Sequence, residues 1–413
     1  LKEIPVAATA AIAAVAKPAS APAIERVAWA VDGLNIEIPS WGFVNTGTRF
    51  RVFPQQGVPR TVFEKLDDAA TVNRYTGIAA SVSLHIPWDT VDDWDGLAAH
   101  ARAKGLRFGG INSNTFQDLD YKLGSVCHPD PAVRAKAVEA IVGCCEIAER
   151  LDAEAVKVWL GDGTNYPGQD DLRGRHRRLV AALKEVYGHL PAKARLYLEY
   201  KLYEPALYST DVQDWGQSLN VVRQLGDRAG VCVDTGHHAM GVNIEQIVAL
   251  LLAEGRLFAF DLNDKKYGDD DLMVGSIDPY QLFRIAHELV SAMRDDADAV
   301  AQACANRTTY MLDQCHNIEP KVPAMIRSVM NLQETIAKAL LVDRERLVAA
   351  QAAGDVLEAN ACLWEAFNTD VRPLLAELRA ARGLAADPYR AYLASGEEEA
   401  KYAARVGGTA ASW

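Results

Sequence analysis

The chain has 413 residues, of which 49% are apolar and 24% charged, enough apolar side chain for a large buried core and an ordinary charge load for a globular protein. Its 55 acidic residues outnumber 43 basic ones for a net charge of −12, and its basic cluster, R-G-R-H-R-R from Arg173, reads as a solvated helix face. That balance argues against nucleic acid or a membrane as partner and for a small neutral or metal-chelating molecule.

In chain order, an alanine-rich stretch from Val6 to Ala16 runs into P-A-S-A-P-A and reads as peripheral helix, so residues 1–30 are expected to form an N-terminal helical segment. Seven cysteines without a C-x-x-C pair, two of them the adjacent Cys144 and Cys145, point to a reducing compartment, and a cytoplasmic location is expected. Eight short β-rich runs follow: Leu34–Ile38, Ser81–Ile86, Leu106–Asn112, Val156–Leu160, Arg195–Tyr200, Gly230–Val233, Leu257–Leu262 and Tyr310–Leu312. Between them lie segments of helical spacing, such as the one from Pro131 with Asp130 placed to cap it. Strand and helix alternation predicts an α/β chain, a (β/α)8 TIM barrel over residues 31–317. Residues 318–413, rich in Ala, Leu, Glu and Arg, are expected to form a C-terminal helical extension, an arm that contacts a neighbouring subunit.

The chemistry concentrates in the last four runs. Glu199, Asp234, Asp261 and Asp313 end runs five to eight, and consecutive barrel strands carry such residues to one rim. His237 follows Asp234 by three, with Gly236 allowing a sharp turn between them. In Y-G-D-D-D-L from Tyr267, alternate residues of an extended loop would aim Asp269 and Asp271 one way and Asp270 the other. Each acid alone could be an ordinary helix cap. Together they would repel, since at about 5 Å and an effective dielectric of about 20 each pair costs about 3 kcal/mol.

Divalent cations relieve that repulsion, and oxygen donors with one imidazole and no thiolate suit Mn, Mg or Co. We expect Glu199, Asp234, Asp261 and Asp313 around one ion and His237, Asp269 and Asp271 around another, with Asp234 able to bridge. Lys201 shares a strand face with Glu199 and should reach the substrate. His85, with Asp89 nearby, could move a proton on a ring oxygen, against the plainer reading of a satisfied barrel-mouth histidine. Trp41, Phe116 and Trp159 end runs one, three and four and would wall a sugar's apolar face, though core packing would also explain them.

The chain resembles the L-rhamnose isomerase family of the Pseudomonas type, within the xylose-isomerase-like barrels. The resemblance is carried by I-P-S-W-G at Ile38, G-T-R-F at Gly47, V-S-L-H-I-P-W-D at Val82, N-S-N-T-F at Asn112, G-D-G-T-N-Y-P-G-Q at Gly161, Y-E-P-A-L-Y-S-T at Tyr203, K-Y-G-D-D-D-L at Lys266 and D-Q-C-H-N at Asp313, spread over roughly residues 30–395. It implies reversible aldose–ketose isomerisation with two Mn-type ions, one structural and one catalytic, on the two ligand sets above. It further implies Lys201 at O1, His85 at the ring oxygen, and a proton moved between O1 and O2 under the steering of Asp313 while hydride passes between C1 and C2. Members assemble as tetramers, in which an aromatic matching Phe50 closes a neighbour's pocket. The chain departs at A-F-D-L-N-D from Ala259, where the family carries histidine at the position of Asp261. A ketose 3-epimerase on the same barrel is the alternative, but such enzymes set two opposed glutamates at one metal and no lysine at the position of Lys201.

Overall fold

The computed structural model describes residues 23–47, 51–204, 207 and 209–406. All eight expected runs are strands: β1 Ile36–Pro39, β2 Ser81–Ile86, β3 Arg107–Ser113, β4 Ala155–Val158, β5 Arg195–Glu199, β6 Ala229–Asp234, β7 Leu257–Leu262 and β8 Thr309–Leu312. Each pairs in parallel with its neighbours in sequence, and β1 pairs with β8 at Ile36↔Tyr310 and Glu37↔Met311, which closes the barrel.

Side-chain alternation divides each strand between two environments. Val156, Val158, Leu196, Leu198, Val231 and Val233 are fully buried between strand and helix layers. The intervening positions, Lys157, Tyr197, Cys232, Ala259 and Met311, fill the barrel interior, and the polar residues of that face gather toward the C-terminal rim. Helices between the strands start where a side chain accepts from an early backbone N–H: Asp93, Asp130, Asp171, Asp214, Asn243 and Asp278 each do so.

After β8 the chain enters helix Lys321–Leu340, most of it buried, which packs between helices Val62–Thr76 and Pro279–Met293 in the outer layer. The C-terminal helices do not stand away from the barrel as an arm. Arg379 Nε donates to Gln333 Oε1 at 2.9 Å, Arg74 and Tyr75 hold Glu397, and Arg405 Nη1 reaches Asp68 Oδ2 at 2.7 Å. Those ties bind the tail to helix Lys321–Leu340 through Gln333 and to the flank of Val62–Thr76 through Asp68, Arg74 and Tyr75, and the buried Arg379 and Arg405 find the amide and carboxylate partners they need. Helix Val356–Asn368 still presents Val356, Leu357 and Trp364 to solvent. Of the N-terminal segment, helix Ala23–Asp32 is described and residues 1–22 lie outside the described residues.

All seven cysteines are buried, and none is joined in a disulfide among the described residues. Among the described residues no helix is long and apolar enough to cross a membrane. The basic cluster is not wholly a solvated face. Arg175 is 2% exposed and its guanidinium grips Asp211 through Nε at 2.9 Å and Asp170 through Nη1 at 3.0 Å, while Arg173, His176 and Arg177 are exposed, Arg177 at 69%. A helix starting at Leu172 beneath the β4 loop buries one face, and spacing in the sequence does not reveal which arginine falls on it.

Candidate metal centre and active site

Glu199, Asp234 and Asp261 end β5, β6 and β7, and Asp313 follows β8, so parallel strands in register bring all four to the mouth. The pairing Asp234↔Asp261 places two of them side by side on neighbouring strands. None of these acids caps a helix, since other residues do so, and the ordinary capping explanation falls away.

His237 stands among them. Its Nδ1 lies 3.0 Å from Glu199 Oε1, and its Nε2 lies 3.2 Å from Asp269 Oδ1 and 3.8 Å from Asp234 Oδ2. Glu199, Asp234 and His237 offer ligand atoms all within 4.8 Å of one another, a spacing that can hold a metal ion. Gly236 makes the turn possible through close approach, with no need of an unusual backbone angle. A Cβ there would lie 2.6 Å from Asn263 Oδ1, and its N–H donates to Asp234 Oδ1 at 2.6 Å. Asn263 Nδ2 donates to the same carboxylate at 3.1 Å and orients it.

Asp269 and Asp271 do flank the site while Asp270 turns aside, but by a different geometry from an extended loop. Asp271 has a left-handed backbone with φ of 47°, and Asp270 accepts from the backbone N–H of Lys266 and Tyr267. The chain therefore turns back on itself, and the Asp271 carbonyl accepts from Cys315 N at 3.2 Å, tying this loop to the segment after β8.

Burial and crowding set the charge of these acids. Burial first, then like charges, raises the carboxyls of Glu199, Asp271 and Asp313 above the usual range, and lifts Asp234 to about 7. His237 is held protonated by its carboxylate neighbours against the cost of burial. With Lys157 on Asp261 and Lys201 on Asp269, this imidazolium makes three cations against the six acids Glu199, Asp234, Asp261, Asp269, Asp271 and Asp313. Hard oxygen donors with one imidazole fit a divalent cation.

At the rim, Lys201 Nζ lies 2.6 Å from Asp269 Oδ2, also contacts Glu204, and sits 5.0 Å from the centre of the Trp159 ring. Phe116 meets Trp159 edge-on at 4.8 Å, and Trp41 meets His85 edge-on at 5.4 Å, so these aromatics form one wall. Trp41 also donates from Nε1 to Asp313 Oδ1 at 2.9 Å, a polar task beyond lining. Phe50 lies outside the described residues.

His85 is brought to the wall, but Asp89 is not its proton partner. Asp89 accepts from the His85 backbone N–H at 2.8 Å, from Ser40 Oγ at 2.5 Å and from Lys65 Nζ at 2.5 Å, which leaves its carboxylate fully used in bracing the loop. The imidazole stacks on Trp88 at 3.9 Å, its Nδ1 is buried without a hydrogen bond, and burial lowers its pKa to about 3. Neutral His85 can accept or donate one hydrogen bond.

Sequence reasoning missed Trp88, Asn263, Glu204 and Lys157. Trp88 stood in the quoted V-S-L-H-I-P-W-D segment, and Lys157 is a lone charge in the apolar run A-V-K-V, a signal that could have been noticed. Lys157 Nζ pairs with Asp261 Oδ1 at 2.8 Å deep in the barrel.

The family model for the xylose isomerase-like TIM barrel matches residues 67–289, more than half of the chain. The chain belongs to that family. It is 45% identical over 379 residues to a probable sugar isomerase of Mesorhizobium japonicum, covering 91% of this chain and 86% of the relative. It is 44% identical over 388 residues to a probable sugar isomerase of Rhizobium meliloti, covering 93% and 88%. A solved D-tagatose 3-epimerase-like protein superposes with a TM-score of 0.54 over 76% of this chain and all of its own, and at 14% identity that likeness concerns the fold alone.

Proposed function

We propose that this protein is a metal-dependent aldose–ketose isomerase that interconverts L-rhamnose and L-rhamnulose, with activity extending to D-allose and related aldoses. The observation that carries the reading is the Lys201 ammonium, poised at the mouth between Asp269 and the Trp159 face and beside the Glu199–Asp234–His237 cluster. A 3-epimerase has no use for an ammonium there and needs a second glutamate facing Glu199, whereas the remaining donors here are aspartates and a histidine. Similarity to two probable sugar isomerases over most of the chain supports the same reading.

Two divalent ions, Mn²⁺ in the first place and Co²⁺ or Mg²⁺ as alternatives, would be held by Glu199, Asp234, Asp261 and Asp313 and by His237, Asp269 and Asp271. When bound they supply Lewis-acid polarisation of the sugar's O1 and O2. Lys201 stabilises charge growing on O1 as the carbonyl shifts. Neutral His85 hydrogen-bonds the ring oxygen. Asp313, oriented by Trp41, steers the proton between O1 and O2. Trp41, Phe116 and Trp159 shield C1 and C2 from water, so that hydrogen passes between the carbons as hydride without exchange.

We assign catalysis to residues 31–317 and oligomer contacts of a cytoplasmic homotetramer to residues 318–413, with Phe50 closing a neighbour's site. The exposed apolar side chains of Val356, Leu357 and Trp364 support an assembly role for the extension.

The test is an NMR assay of EDTA-stripped protein with L-rhamnose in deuterated water, before and after adding Mn²⁺. Ketose formed only with Mn²⁺ and with little deuterium at C1 is the expected result. No ketose from L-rhamnose, D-allose or related aldoses, with ketohexoses epimerised at C3 instead, would overturn it.

A further inference from the structure

Lys157 and Asp261 form an ion pair inside the barrel, with side chains 2% and 1% exposed and 2.8 Å between Nζ and Oδ1. The pair spans from β4 to β7, and the interior is shaped to admit it. A Cβ on Gly110 would lie 3.0 Å from Lys157 Cε and 2.8 Å from Ser83 Oγ, and one on Gly109 would lie 2.7 Å from Glu37 Cδ. The two glycines of β3 thus make room for the lysine stem and for Glu37, a second buried carboxylate of the same layer, whose Oε1 accepts from Gly110 N at 2.7 Å.

The direction of approach matters. Lys157 Nζ also lies 3.4 Å from Met311 Sδ, and Lys157 pairs with Tyr197, two residues before Glu199 on β5, so its stem leaves β4 one layer below Glu199. The ammonium therefore reaches Asp261 from the layer beneath Glu199.

We propose that Lys157 sets the ion preference of this centre by occupying one oxygen of Asp261 from below, which leaves the carboxylate a single donor toward a cation and offsets its charge. The inference rests on the reading of Asp261 as an ion ligand. A carboxylate held this way serves compact octahedral ions such as Mn²⁺ or Mg²⁺, whereas Ca²⁺ takes a larger oxygen shell in which bidentate carboxylates are common. Lys157 is a positioning residue and touches no substrate.

The experiment titrates EDTA-stripped wild type, Lys157→Met and Lys157→Gln with MnCl2 and with CaCl2 by calorimetry, alongside thermal melting of each stripped protein. Wild type should prefer Mn²⁺, and Lys157→Met should move the Mn²⁺/Ca²⁺ affinity ratio toward Ca²⁺ by about tenfold or more, because the second oxygen is freed. Lys157→Gln, whose amide N–H can still occupy Oδ1, should hold the ratio within about threefold and decides the matter if Lys157→Met does not fold. Stripped Lys157→Met should melt several degrees below wild type, since Asp261 is left buried without a partner. An unchanged ratio in Lys157→Met, or an equal shift in both variants, overturns the proposal. Failure of wild type to bind either ion would instead remove the ligand reading beneath it, and the melting series separates the two cases.

Discussion

The Trp41 indole donates from Nε1 to Asp313 Oδ1 at 2.9 Å, joining the turn after the first strand to the segment after the eighth across the seam where the barrel closes. Asp313 is the acid proposed both to ligate an ion and to steer the proton, and burial with Asp261, Asp234 and Glu199 nearby pushes its carboxyl well up. A charge-assisted hydrogen bond from Trp41 opposes that shift and fixes the carboxylate's direction. Trp41→Phe keeps a ring against His85 and removes only the donor. We expect kcat to fall by about tenfold to a hundredfold, equivalent to about 1.5–3 kcal/mol, with little change in ion content by elemental analysis.

Lys201→Met removes the ammonium while keeping an unbranched side chain against Trp159. Isomerase turnover should drop by about 10²- to 10³-fold, and Mn²⁺ binding should remain, because Lys201 lies beside the ligands and not among them. Steady-state kinetics with calorimetric Mn²⁺ titration checks this, and wild-type turnover in the variant would refute the role.

His85 should stay neutral across the working range, since burial and then the Lys65 charge lower its pKa to about 3. Imidazole resonances assigned to His85 should not titrate between about pH 5 and pH 8, where an ordinary histidine with a pKa of about 6.5 would. His85→Phe keeps the stack on Trp88 and should lose about 10²-fold in kcat/KM.

Metal-free protein should lose stability as pH rises. Asp234 is raised to about 7, and Glu199, Asp271 and Asp313 are raised as well, so over this interval the folded state holds protons that the unfolded chain releases. Stability is then full below the unfolded carboxylate value of about 4 and falls as pH climbs toward and past 7. His237, also raised, acts with the same sign, whereas Asp269 is lowered and matters only in stronger acid. Melting curves with EDTA from pH 5 to pH 8 should decline, and saturating Mn²⁺ should reverse the slope by replacing those protons. A metal-free melting temperature that rises over that range would refute the account.

Arg175→Met should be among the most destabilising single changes away from the mouth. It strands the carboxylate of Asp211, which is 11% exposed, without its guanidinium, whereas Asp170 keeps Arg178 Nη2 at 2.6 Å. Breaking such a pair costs about 3–5 kcal/mol, to be read by urea unfolding. Arg177→Met, on the exposed face of the same helix, should shift stability by about 0.5 kcal/mol or less.

Much of the fold was legible because β-branched runs and helical spacing alternate along the chain, and each of the eight runs became a strand within a few residues of its expected bounds. The acids at the ends of the last four runs were legible for a related reason, since a parallel barrel sends every strand's C-terminal end to one rim. The partners of those acids were not. Nothing in spacing shows that Lys157 reaches from β4 to Asp261 on β7, that Asp89 braces a loop and leaves the His85 ring alone, or that Asp271 takes a left-handed turn. The sequence by itself determined the barrel, its order of strands and the identity of the residues at its mouth, because local periodicity and chain direction suffice for those. Only the tertiary structure decided which charge meets which, where Arg175 is buried and how the C-terminal helices return to the barrel, because those contacts join segments far apart in the chain and depend on side-chain reach across a packed interior.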